Sequence, residues 1–120
     1  PSSLPALLRA YRVGQKASNS GFDWPDLEGP TAKVEEEWAE LQEAIAGGDK
    51  QRISDEMGDM LFALTNMARK LKIEPEMALR GTVERFTSRF NHVERQLGDK
   101  LGSATLEERD ALWDEAKSKE

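Results

Sequence analysis

The sequence predicts an all-α fold, a helical bundle of about five helices completed by oligomerisation. Three observations predict it. Apolar residues recur at intervals of three and four along most of the chain, the period of a helix face, and no strand-like alternation competes. Pro5, Pro30, Pro75 and the pairs Gly47-Gly48 and Gly98/Gly102 punctuate these runs, where helices begin and end. The hydrophobic fraction is 38% against 33% charged in 120 residues, so a monomeric core would be thin and helices would seek further burial in an assembly.

The elements follow in order. A first helix is expected from Leu4 to about Ser18, with Pro5 in its opening turn, where a missing N–H is no loss. Residues 19–25 form a loop carrying Phe22 and Trp24. Pro30 lies just ahead of a second helix that runs to about Ala46 and closes at Gly47-Gly48. Asp49 is the expected N-cap of a third, from Lys50 to about Lys72. Pro75 opens a fourth, where Leu79, Val83, Phe86, Phe90, Val93 and Leu97 alternate spacings of four and three in a coiled-coil-like seam. Gly98 and Gly102 break it. Thr105-Leu106-Glu107-Glu108 is a capping box for a short last helix through Trp113 to about Lys117.

Length suits one domain spanning residues 1–120, or one half of a shared bundle, and Pro1 in place of Met is compatible with a trimmed or excised chain as well as with a stand-alone protein. A net charge of −6 argues against a general nucleic-acid binder. It leaves room for a small polyanion, because a bound cation inverts the local sign. The absence of cysteine excludes disulfides and thiolate metal sites. No apolar run approaches the roughly 20 residues of a membrane span, and no secretory pattern opens the chain. A cytoplasmic protein with neither nucleic-acid nor membrane partners is the expectation.

Two acidic clusters carry the chemistry. The first is Glu36-Glu37-Trp38-Ala39-Glu40 and the second Glu56-Met57-Gly58-Asp59; each sets carboxylates three or four apart, the spacing that stacks side chains on one helix face. Apolar stripes accompany them: Val34, Trp38, Leu41 and Ile45 beside the first, and Ile53, Met57, Met60, Leu64, Met67 and Leu71 beside the second. At about 100° per residue, Glu37 lies roughly 70° from the centre of the first stripe, Glu40 further round and Glu36 nearly opposite. On the third helix Glu56 flanks the stripe, while Asp59, Phe62 and Asn66 share a second face. Packing these stripes together gathers like charges, which is unfavourable without a proton or a cation. Asp59 stands in an apolar stretch where a charge is costly without a partner. Gly58 in mid-helix suggests a close approach to the backbone. Oxygen ligands with no nearby histidine favour Mg²⁺ or Mn²⁺ over zinc. Trp38 reads as core, Trp24 equally as core or as a platform for a base, and His92 as a surface or interface residue without a catalytic part.

These residues resemble the MazG family of nucleoside triphosphate pyrophosphohydrolases, in the all-α superfamily that includes dimeric dUTPases and phosphoribosyl-ATP pyrophosphohydrolase. The paired signature Glu-Glu-x-x-Glu and Glu-x-x-Asp stands at Glu36 to Glu40 and Glu56 to Asp59. The likeness continues through Gly21 to Trp24, Lys33-Val34, Phe62-Ala63, Asn66 to Arg69, Arg85-Phe86, Arg89-Phe90, Val93 to Arg95, and Trp113 with Lys117. It covers about residues 4–118 and looks most like the C-terminal catalytic half of two-domain MazG proteins.

The resemblance implies roles. Glu37, Glu40, Glu56 and Asp59 match ligands of Mg²⁺, for which Mn²⁺ would substitute, with Glu36 close by; Glu36 or Glu40 would accept the proton of an attacking water. Arg52 matches a basic position near the phosphates, Arg85 and Arg89 positions that hold the triphosphate, Trp113 and Lys117 a pair near the nucleotide, and Asn66 a polar residue beside the base or sugar. The implied reaction hydrolyses a nucleoside triphosphate to the monophosphate and pyrophosphate, by in-line attack at the α-phosphorus, in the service of clearing unwanted (d)NTPs. The implied assembly is a homodimer or higher homo-oligomer, with both acidic motifs of a site on one chain. Two rivals stand beside this reading. One is a dUTP- or dCTP-selective pyrophosphatase of the same superfamily. The other is a non-catalytic helical assembly or regulatory domain, which explains the seam but leaves Asp59 without a purpose.

Overall fold

The computed structural model describes residues 4–120, so Pro1 lies outside the described residues, and these residues contain helices and no strand. The helices are α1 (Ala6–Asn19), α2 (Glu28–Gly47), α3 (Lys50–Lys70), α4 (Pro75–Leu97) and α5 (Leu106–Ser118), with a 3₁₀ helix (Gly98–Ser103) between the last two. The expected all-α class is what forms. The chain divides into two compact units, one ending at Ala78 and the other running from Leu79 to Glu120.

Local chemistry sets the boundaries, and three differ from expectation. Pro5 is the N-cap of α1, with extended ψ of 144°, so the helix begins at Ala6 and not at Leu4. Pro30 lies within the first turn of α2, not ahead of it, because first-turn N–H groups have no partner inside the helix and proline forfeits nothing there. The third helix stops at Lys70; Lys72 takes a left-handed φ of 60°, which ends the run two residues early. Elsewhere the signals act as read. Gly48 adopts φ 77° and its N–H returns to the carbonyls of Ala44 and Ile45. Asp49 accepts the Gln51 N–H at 3.0 Å, and Thr105 and Glu108 close a reciprocal capping box.

In the first unit α3 packs against both α1 and α2. Many of the buried positions are small: Gly14 on α1, Ala44 on α2, Ala63 and Thr65 on α3, with Leu41, Glu37 and Arg69 buried beside them. This overturns part of the expected packing. Trp38 is 50% exposed, and Ile45, Met57, Leu64 and Leu71 are exposed as well, so the large apolar stripes are not what the helices bury. On α2 the buried face runs through Glu37, Leu41 and Ala44, turned roughly 60° from the expected centre towards the acidic side. Small side chains let the backbones come close, and that draws Glu37 into the packing.

In the second unit the seam of α4 is largely uncovered: Leu79, Val83, Phe86 and Phe90 are exposed and Val93 is buried. Trp113 of α5 packs on Phe86 with ring centroids 5.2 Å apart. His92 is buried, contrary to the surface reading, because it faces α5, where Glu115 Oε1 lies 3.4 Å from its Nε2. No helix among the described residues is long and apolar enough to cross a membrane.

Candidate metal and nucleotide site

Helical spacing and the α2–α3 contact assemble the acids. One carboxylate oxygen from each of Glu36, Glu37 and Glu40 lies within 4.8 Å of the others, and the same holds for Glu37, Glu56 and Asp59. Glu37 belongs to both sets and is their hub. It is buried, Glu40 and Glu56 are half-buried, and Glu36 and Asp59 are exposed. The expected order on α2 is therefore what the structure shows. Asp59 differs: it is open to solvent, so the cost of burying a charge does not explain it. Gly58 differs too, since a Cβ there would meet nothing within 4 Å.

The electrostatics of the cluster are unfinished. Lys33, one turn before Glu37, places Nζ 3.1 Å from Glu37 Oε1 and 3.5 Å from Glu36 Oε1. The Glu37 carboxylate in turn raises the pKa of Lys33. The charge of Glu37 also raises the pKa of Glu40, with Glu56 and Glu36 adding to it. Glu37 Oε2 and Glu56 Oε2 are buried and accept no hydrogen bond. Buried carboxylate oxygens normally find a partner, and one lysine does not neutralise five acids. An oxygen-only donor set with two orphaned oxygens fits a hard divalent cation of the Mg²⁺ or Mn²⁺ type.

Glu37 and Asp59 also line a cavity of about 770 Å³, whose other walls include Val13, Ala17, Phe22, Trp24, Phe62 and Ala63. Its shape is held by an ion pair. Arg69 of α3 donates from Nη1 to Asp23 Oδ2 at 3.0 Å and from Nη2 to Asp23 Oδ1 at 2.8 Å. Ser18 Oγ and the Trp24 N–H donate to the same carboxylate, and Lys70 Nζ donates to the Trp24 carbonyl at 2.7 Å. Arg69 foremost, then Ser18, hold the Asp23 carboxyl well below the usual range. The loop carrying Phe22 and Trp24 is thereby tied to α3. Trp24 rests on Gly29, where a Cβ would sit 2.2 Å from its ring, so only glycine admits the indole.

The predicted residues fall into three groups. Glu36, Glu37, Glu40, Glu56 and Asp59 come together, and Asn66 lines the adjoining cavity. In the second unit, Arg89 sets its guanidinium 5.6 Å from the ring centroid of Trp113. Its Nε and Nη2 donate to the two carboxylate oxygens of Glu120 at 2.7 and 2.9 Å. Arg85 and Lys117 lie near enough for their charges also to lower the Glu120 pKa. Arg52 alone joins neither: it reaches Glu43 at 3.6 Å, both side chains exposed, and lines no part of the cavity. Sequence reasoning assigned no part to Lys33, Asp23, Arg69 or Gly14. The i, i+4 spacing of Lys33 and Glu37 was the available signal for the first; nothing local pairs Asp23 with a residue 46 positions away.

Comparison with known proteins agrees with the acidic signature. Residues 27–94 match the model of the MazG nucleotide pyrophosphohydrolase domain. The chain is 40% identical over 117 residues to a nucleoside triphosphate pyrophosphohydrolase/pyrophosphatase MazG of Thermotoga maritima, covering 95% of this chain and 45% of that protein. It is 38% identical over 128 aligned positions to a nucleoside triphosphate pyrophosphohydrolase of Escherichia coli K12, covering all of this chain and 48% of that protein. The chain thus spans about half the length of these curated relatives.

Proposed function

Because the chain belongs to the MazG nucleotide pyrophosphohydrolase domain family, we propose that it hydrolyses nucleoside triphosphates to the monophosphate and pyrophosphate with a divalent cation, Mg²⁺ or Mn²⁺. One observation carries the reading. An acid cluster with two orphaned carboxylate oxygens shares Glu37 and Asp59 with an apolar cavity large enough for a nucleoside. A triphosphate whose α-phosphate reached the acids would leave its nucleoside against Phe22, Trp24 and Phe62.

Glu37, Glu40, Glu56 and Asp59 would hold the cation. When bound, it offsets the clustered charge and polarises a phosphoryl oxygen. Glu36 or Glu40 accepts the proton of the attacking water. Lys33 is placed to balance whatever negative charge develops beside Glu37. The second unit carries its own candidate contacts, which the family resemblance implies: Arg85, Arg89 and Lys117 for phosphates and Trp113 for the nucleotide. Attack at the α-phosphorus releases pyrophosphate in one displacement, so no covalent enzyme intermediate is required and the absence of cysteine is no obstacle. The substrates proposed are damaged or otherwise unwanted (d)NTPs, and the active form is a homo-oligomer.

The test is an end-point analysis of NTPs incubated with the protein and Mg²⁺. Monophosphate and pyrophosphate in equal amounts, abolished by a chelator and partly restored by Mn²⁺, are expected. Diphosphate with orthophosphate would sink the assignment.

A further inference from the structure

The polar side chains lining the cavity can be accounted for one by one. Asp23 is saturated by Arg69, Ser18 and Trp24, and Arg69 is committed to Asp23. Lys33 is held by Glu36 and Glu37, and Glu37 and Asp59 belong to the acid cluster. Asn66 remains. The Nε–H of Arg69 donates to its Oδ1 at 3.3 Å. A guanidinium has no acceptor, so the oxygen and not the nitrogen of the amide must face it. That oxygen is further pressed against α1, where a Cβ on Gly14 would sit 2.6 Å from it. The amide cannot turn over without losing the Arg69 bond, and Asp23 in turn fixes Arg69. Asn66 Nδ2 has no hydrogen-bond partner among the described residues. Outside the acid cluster, the side-chain hydrogen-bonding group this wall leaves uncommitted is therefore a donor, Asn66 Nδ2.

We propose that the Asp23–Arg69 pair is a positioning device that locks the Asn66 amide with its N–H₂ available to the cavity. Asn66 is thereby a specificity-determining residue favouring bases with a ring carbonyl over those with an exocyclic amine at the same position. This rests on the reading of the cavity as the nucleoside site. An amine brought to Asn66 meets a donor with a donor and leaves both unpaired, whereas a carbonyl accepts from it. The preferred substrates are then the deaminated members of each pair, inosine over adenosine and uridine over cytidine nucleotides.

Two ratios test it: kcat/KM for ITP against ATP and for UTP against CTP, with Mg²⁺, in parallel with calorimetric affinities for IMP against AMP. The unaltered protein should favour the carbonyl member of a pair by about five-fold or more, the worth of one hydrogen bond. Asn66→Ala should bring the ratio close to one. Arg69→Lys, which can still pair with Asp23 but offers no fixed N–H to Oδ1, should reduce it while thermal unfolding stays cooperative. Equal values for both pairs in the unaltered protein, or a ratio that survives in Asn66→Ala, overturns the proposal. So does a change confined to the ribose-to-deoxyribose ratio, which would place Asn66 at the sugar. Failure of the underlying reading looks different: no pyrophosphate from any of the four nucleotides, and no binding of IMP or AMP.

Discussion

Glu37 is the residue on which the acid site turns, being buried, shared by both triads and half-satisfied by Lys33. If the proposed cation site is right, Glu37→Gln and Asp59→Asn should each lower turnover by roughly a hundred-fold or more, since each would remove a charge from the proposed ligand set. Asp59→Asn should not destabilise the cation-free protein, because it removes one of the crowded acids, whereas Glu37→Gln relieves the repulsion on Glu40 but gives up the Lys33 ion pair. Near-normal turnover in Asp59→Asn would remove it from the ligand set. The raised pKa of Glu40 has a definite sign. The folded state holds that proton more tightly, so its contribution falls as pH rises from the ordinary 4.5 through the raised value. A cation offsets this, so the Tm gained from Mg²⁺ should be larger at pH 7.5 than at pH 5. Asp23 works in the opposite sense. Its depressed pKa gives stability that is present above the ordinary value of 3.8 and lost as pH falls towards the folded one. The Tm difference between the unaltered protein and Asp23→Asn should be constant from pH 7 to 5 and shrink in stronger acid; a constant gap down to the lowest pH would deny the ion pair this part. The acids were legible in the sequence because their spacing is local. Asp23 with Arg69 was not, since that pair exists only after α3 folds back beside the loop.

Elements were legible where a cap or breaker announced them and less so where packing chose the face. Asp49, Gly48 and the Thr105–Glu108 box each did what the local pattern implied. The periodicity on α2 found a helix but misjudged its rotation, because it weighs large apolar side chains, while Ala44 and Gly14 allow the close approach. The same limit applies to α4 and α5. Spacing placed Arg85 and Arg89 one turn apart, yet gave no hint that Glu120 would take both donors on one edge of Arg89. A carboxylate in that geometry occupies the fork a phosphate would use. Arg89→Ala should therefore raise KM for NTPs several-fold, and Glu120→Ala should lower it, with kcat little changed in the latter. Steady-state kinetics at two ionic strengths check this. A raised KM in Glu120→Ala would instead mean that Glu120 orients the guanidinium for substrate.

At the scale of the whole molecule, the composition indicated a shortage of core but not where it would fall. It falls on identifiable faces. On α3, Met57, Leu61 and Leu64 are exposed, and Gly58 among them has open space where a Cβ would project. On α4 the exposed side chains are Leu79, Val83, Phe86 and Phe90, at the four-and-three spacing that a partner helix fills. Soluble monomers seldom leave contiguous apolar patches beyond a few hundred Å² uncovered, and a second copy offers the same spacing in return. The mass in solution should therefore be at least twice the 13.5 kDa of one chain at micromolar concentration. Leu61→Glu, which sets a charge on the uncovered face of α3 without touching the buried Ala63 or Thr65, should shift the population towards single chains while helicity is kept. Light scattering with circular dichroism reads both quantities. If the unaltered protein already has the mass of one chain, the apolar faces need another explanation. If Leu61→Glu stays assembled, the contact lies on α4, and Val83→Glu becomes the substitution that should divide it.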